Sequence, residues 1–155
     1  MKKTLLMAAL VVASMGTYAQ TTQPIGQTST QGVQSDYTST TYNEVPKNVQ
    51  TTFSASFPGL ANSRWEQSNN GYRTNFEQNG RDTWVTYDRQ GKQTEMRTSM
   101  TMDELPTRVQ TTLQNQNANY PYEVKIGNNT YYSAKVGNKD MYYDKNGKAT
   151  KLPKR

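Results

Sequence analysis

The side chains that could do chemistry in this 155-residue chain are few. It contains neither histidine nor cysteine, which removes Ser-His-Asp triads, thiolate nucleophiles and the usual zinc ligand sets. No glycine-rich, phosphate-cradling motif is present either. Carboxylates remain as acid–base candidates, and Asp88 and Asp144 form a related pair in Tyr-Asp-x-x-Gly-Lys contexts. Each of these has a turn to close, which explains it without catalysis. Asp140, Asp144 and Asn146 share some residue types with a calcium loop but lack its spacing and its closing glutamate. The expectation is a non-enzyme with no cofactor and no metal.

The other chemistry on offer is recognition. Trp84, Tyr142 and Tyr131 are large, rigid aromatics, and Arg73 and Lys135 are cations, all within segments of alternating polarity. On a sheet face such residues can anchor a partner, with the cations steering an acidic one. The plainer reading is that aromatics form strands well and cover neighbouring backbone.

The elements that would position these residues follow from one segment that occurs twice. Asn43 to Phe53 reads NEVPKNVQTTF, and Asp103 to Leu113 reads DELPTRVQTTL, sixty positions later without a gap. A self-match at fixed spacing signals tandem structural units. Each copy reads as a short amphipathic helix, with Asn43 or Asp103 as N-cap and a proline in the first turn. Val45, Val49, Phe53 and Phe57, and Leu105, Val109 and Leu113, recur at helical spacing and mark the core-facing stripes. Pro58 and Pro121 stand beyond the ends as stops.

After each helix the period changes from helical to alternating. Asn69-Asn70-Gly71 and Asn79-Gly80 are tight-hairpin signals, and Asp88-Arg89-Gln90-Gly91 suits a type I turn closed by a left-handed glycine. Strands are expected at about 62–68, 72–78, 82–88 and 92–99. Gly127-Asn128-Asn129, Gly137-Asn138 and Asp144-Lys145-Asn146-Gly147 repeat the pattern, with strands near 122–127, 130–136, 139–144 and 147–152. Alternation turns Tyr72, Phe76, Val85, Tyr87, Tyr132, Val136, Met141 and Tyr143 toward the helices. It turns Arg73, Asn75, Trp84, Thr86, Tyr131, Ser133, Lys135 and Tyr142 outward, with Trp84 and Tyr142 at matching positions; Trp65 has no clear phase.

Residues 1–19 read as a signal peptide: Lys2 and Lys3, an apolar stretch from Leu5 to Met15, and Thr17-Tyr18-Ala19 before Gln20. No cysteine follows to make a lipoprotein, and the stretch is too short to span a bilayer. The expected location is periplasmic or secreted. Residues 20–42, rich in Thr, Gln and Ser, are expected to be a disordered tail. Without Lys2 and Lys3, the bases fall from 18 to 16 against 12 acids, a mildly basic net +4. Nucleic acid is not an expected partner for an exported chain without a binding motif.

The proline-led helix, Phe57-Pro58 and Tyr120-Pro121, the Tyr-Asp-x-x-Gly-Lys turns and the duplication resemble the exported PepSY-like proteins of gram-negative bacteria. These proteins are also described as similar to the beta-lactamase inhibitory protein. The resemblance covers about Asn43 to Leu152. It implies an α+β fold of two tandem helix-plus-four-stranded antiparallel meander repeats, 43–99 and 100–155, with sheets able to join and helices on one face. It also implies a non-catalytic role as a restraint on proteases. No contact residue carries over, because the matching positions are turn and core residues. The functional expectation is an exported protein-binding module, an inhibitor or chaperone of an envelope or secreted hydrolase, with another exported protein as partner. A surface or matrix glycan-binding component is the alternative.

Overall fold

The computed structural model describes residues 36–60 and 63–153; the signal peptide and most of the expected tail lie outside them. The order is β1 (Thr38–Thr40), α1 (Lys47–Ser56), β2 (Arg64–Ser68), β3 (Gly71–Gln78), β4 (Arg81–Asp88) and β5 (Gln93–Ser99). Then follow α2 (Thr107–Asn115), β6 (Asn119–Ile126), β7 (Asn129–Val136), β8 (Lys139–Tyr143) and β9 (Ala149–Thr150). The fold is α+β. Among the described residues nine strands make one antiparallel sheet in chain order, because most of them neighbour one another in sequence.

Both helices lie on one face. Residues directly opposite across strands share a face, and one unbroken row runs Phe76, Thr83, Thr98, Glu123, Tyr132, Tyr143. Phe76 belongs to the cluster of Val49, Phe53, Phe57, Trp65, Val85 and Tyr87 beneath α1. Tyr132 and Tyr143 belong to the cluster of Val109, Leu113, Ala118 and Ala134 beneath α2. Trp65, unphased by its sequence, is 1% exposed in the first cluster, edge-on to Phe53 at 5.0 Å.

The helix starts differ from expectation. Asn43 and Asp103 do not cap; they lie inside short 3-10 turns, Tyr42–Glu44 and Met102–Glu104, and Pro46 and Pro106 hold the N-cap positions. Thr41-x-x-Glu44 and Thr101-x-x-Glu104 are the pairs that matter, since Glu44 and Glu104 accept the N–H of Thr41 and Thr101 at 2.9 Å each. This is the reciprocal half of a capping box set one turn ahead of the helix. Exposed though they are, both carboxyls are held below their ordinary pKa, chiefly by that backbone N–H.

Order also begins earlier than Asn43. Thr38–Thr40 pairs with Gln67, Glu66 and Trp65, so the end of the expected tail is an edge strand. Two β-branched residues and backbone hydrogen bonds suffice where composition alone argues for disorder. The last strand, by contrast, is only Ala149–Thr150. The Asp turns are as expected: the N–H of Gly91 and Gly147 donate to Asp88 and Asp144 oxygens at 3.1 and 2.9 Å, with φ of +85° and +78°.

Candidate functional site

The face away from the helices carries every expected recognition residue. Register places Asn75, Trp84, Arg97, Val124 and Tyr131 in one row, with Arg73, Thr86 and Glu95 in the row beside it. Ser99, Tyr122, Ser133 and Tyr142 form the row on the other side. Lys135 lies apart, paired with Asn119 and Asp140 at the strand ends. Trp84 and Tyr142 share the face but are not equivalent: with Tyr87 matched to Tyr143, Tyr142 corresponds to Thr86.

Among the described residues no helix covers this face, yet part of it is buried. Val124 is 0% and Ser133 5% exposed. Arg97 and Tyr142 explain why. They sit on β5 and β8, three strand spacings or about 14 Å apart, yet the Arg97 Nη2 donates to the Tyr142 hydroxyl at 3.2 Å. The guanidinium also lies 5.6 Å from the ring centroid. The two side chains therefore cross the sheet above Val124 and Ser133. On the other side of Arg97, two positions back along β5, Glu95 is 3% exposed and pairs with Arg97 Nε. Burial works against the Arg97 charge, but the Glu95 carboxylate and the Tyr142 hydroxyl more than offset it and raise its pKa.

Beside this lid, Asp82 gathers three donors. Its carboxylate accepts from Trp84 Nε1 at 3.1 Å, from the Tyr122 hydroxyl at 3.0 Å and from the Asn75 amide. Burial first, and Asp82 second, push the Tyr122 phenol up to about 12. The Arg73 guanidinium carbon stands 4.1 Å from the Tyr37 ring and 5.1 Å from Trp84, while its Nε pairs with Glu66. The result is two sets of rings and guanidinium groups on one face, Tyr37–Arg73–Trp84 and Arg97–Tyr142, adjacent through the Trp84–Arg97 register.

Two consequences correct the sequence reading. Arg73 is matched by Glu66, which weakens its field toward an acidic partner, while Lys135 lies opposite Asp140 in the register, away from the Trp84 row. Tyr142 is part of the lid and not a free-standing ring. Sequence reading also missed Arg97, Glu95, Asp82, Tyr122 and Tyr37. Glu95-x-Arg97 was a usable signal, since residues two apart on a strand share a face, but their link to Tyr142 crosses forty-five residues of chain.

No family model and no curated protein matches the chain. Solved structures do. A candidate periplasmic protein from Bacteroides eggerthii superposes with a TM-score of 0.62 at 21% identity, over 69% of this chain and 86% of that one. A DUF2874 family protein from Bacteroides ovatus gives 0.61 at 23% identity, over 69% and 85%. A BLIP-like protein from Bacteroides fragilis gives 0.54 at 17%, over 69% and 84%. The chain has a BLIP-like fold. At these identities the likeness speaks for the fold, and the site must be argued from its own residues.

Proposed function

We propose that the protein is an exported, non-catalytic module that binds another exported protein through the outer sheet face, as an inhibitor or chaperone of a hydrolase. In this reading residues 1–19 direct export to the periplasm or beyond, and 43–99 and 100–155 are two PepSY-like repeats that together make one broad surface. The observation that carries it is the Asp82 hub, which holds Trp84, Tyr122 and Asn75 on a face that no helix covers among the described residues. Rigid aromatics ordered before binding lose little entropy on capture. The neighbour described as a candidate periplasmic protein and the BLIP-like neighbour support the same reading.

The test begins with capture from periplasmic extract, identification of the captured protein, and calorimetry against it. Trp84→Ala should weaken binding by about 2 kcal/mol while thermal unfolding changes little. Unchanged affinity would place the binding surface elsewhere. Binding to a glycan array, with no protein captured, would instead favour the matrix reading.

A further inference from the structure

We infer that β1 is a detachable strap that sets the affinity of the outer face: seated, it lays the Tyr37 ring beside Trp84, and released, it withdraws that ring while the fold stands. The inference rests on the reading above that this face binds another protein. The two halves of the chain supply the comparison. Tyr37-Thr38-Ser39-Thr40-Thr41 and Arg97-Thr98-Ser99-Met100-Thr101 match sixty positions apart, each leading into a 3-10 turn and a helix. In both, the strand ahead of the helix pairs with the strand after it, β1 with β2 and β5 with β6. Positions 37 and 97 then act alike on the outer face. Tyr37 lies on the Arg73 guanidinium at 4.1 Å, and the Arg97 guanidinium stands 5.6 Å from the Tyr142 ring. Ring and guanidinium have changed places between the halves, but the contact recurs.

What differs is how firmly the strand is held. β5 is bonded on both sides, to β4 and to β6. β1 has three residues in register with Gln67, Glu66 and Trp65, and no second neighbour among the described residues. A short edge strand lies at the low end of local stability, where release costs far less than global unfolding. Thr38 and Ser39 are exposed, and every buried residue of the cluster beneath α1 follows the strap, from Val45 onward. The chain is anchored again directly behind it, where the Tyr42 ring stands 5.9 Å from Trp65 and 6.3 Å from Phe53. Release therefore takes Tyr37 out of the Arg73–Trp84 group and leaves the core in place.

With the strap seated, Arg73 has Tyr37 against one ring and Trp84 at 5.1 Å, so a partner meets three groups already ordered and little entropy is lost on capture. With the strap released, the ring is gone, and the apparent affinity falls in proportion to the seated fraction. Seating of the strap and binding of the partner are thus linked, each favouring the other.

Three measurements on the full mature chain, with the protein captured as above, test this. In the free chain the hydrogen-bonded amides of Thr38–Thr40 should exchange about tenfold or more faster than those of Thr98–Met100, and should slow when the partner binds. Tyr37→Ala should melt with the parent and lose about tenfold in affinity. A Thr38→Cys/Gln67→Cys staple joins two residues directly opposite in register, in a chain without native cysteine. Oxidised, it should bind at least as tightly as when reduced. Equal exchange from the two strands overturns release. Parental affinity in Tyr37→Ala, beside a loss in Trp84→Ala, overturns the strap and leaves the proposed function standing; no loss in either overturns both. Weaker binding by the oxidised staple shows that the partner displaces the strap, and reverses the inference. A Tyr37→Ala protein melting several degrees lower assigns the ring to stability, and overturns it too.

Discussion

Tyr87 and Tyr143 occupy matching places under the two helices, and both are buried, at 1% and 0% exposed. Their hydroxyls differ. Tyr143 donates to the Gln116 side chain at the end of α2, whereas the Tyr87 oxygen has no partner among the described residues, and burial raises its pKa. A buried hydroxyl without a hydrogen bond loses its hydration for nothing, while a satisfied one contributes about 0.5–1.5 kcal/mol. Tyr143→Phe should therefore destabilise by about that amount, and Tyr87→Phe should be neutral or stabilising; paired denaturant titrations decide it. Tyr122 makes a pH statement at the same scale. Its folded-state pKa is raised from 10.0 to about 12, so its contribution is complete below pH 10.0 and is lost as pH rises through about 12. Phenolate absorbance against pH should show several late-titrating tyrosines, Tyr87 and Tyr122 among them, and one fewer in Tyr122→Phe.

At the scale of elements, each helix is pinned at both ends of its first turn. The Asp turns press so close that a Cβ on Gly91 would stand 2.9 Å from the Asn48 carbonyl carbon, and one on Gly147 2.6 Å from the Arg108 oxygen. Left-handed strain alone costs about 1–2 kcal/mol, and the backbone clash adds to it. Gly91→Ala and Gly147→Ala should lose roughly 2 kcal/mol or more in thermal melts; a melt matching the parent would show that the turns can shift away from the helices. Ahead of each helix, Glu44 and Glu104 have lowered folded-state pKa values. Their contribution is present above the ordinary glutamate range and is lost as pH falls through the lowered values. The Glu44→Ala/Glu104→Ala variant should thus be less stable at neutral pH and flatter in its acid limb than the parent. These starts were half legible. The Thr-x-x-Glu spacing was there to read, but Asn and Asp are equally good caps by type, and only the position of the 3-10 turn separates them.

For the molecule as a whole, the outer face is organised by pairs already made: Arg73 with Glu66, Arg97 with Glu95, and Asp82 with its three donors. Because both arginines are matched within the chain and the Asp82 carboxylate is held by neutral donors, association through these groups should depend weakly on ionic strength. Affinity for an identified partner should change little between low and high salt, and a steep fall would point to free charges elsewhere on the surface. The lid makes a stability prediction too. Tyr142→Ala uncovers Val124 and opens the Arg97–Glu95 pair, at a cost of about 1–3 kcal/mol. Trp84→Ala should cost less than Tyr142→Ala in the same denaturant titration.

By itself the sequence determined the local periods: two proline-led helical stripes, hairpin turns at Asn-Gly and Asp-x-x-Gly, and the alternation that sends Trp84, Tyr131, Arg73, Lys135 and Tyr142 outward. These are properties of short segments, fixed by backbone sterics and side-chain spacing within a few residues. The tertiary structure decided what the outward residues do. Arg97 meets Tyr142 across three strands, and Tyr37 meets Arg73 across the edge of the sheet. Those outcomes depend on register between segments far apart in the chain. A slip of one position reverses every side chain on a strand, and no local pattern carries that information.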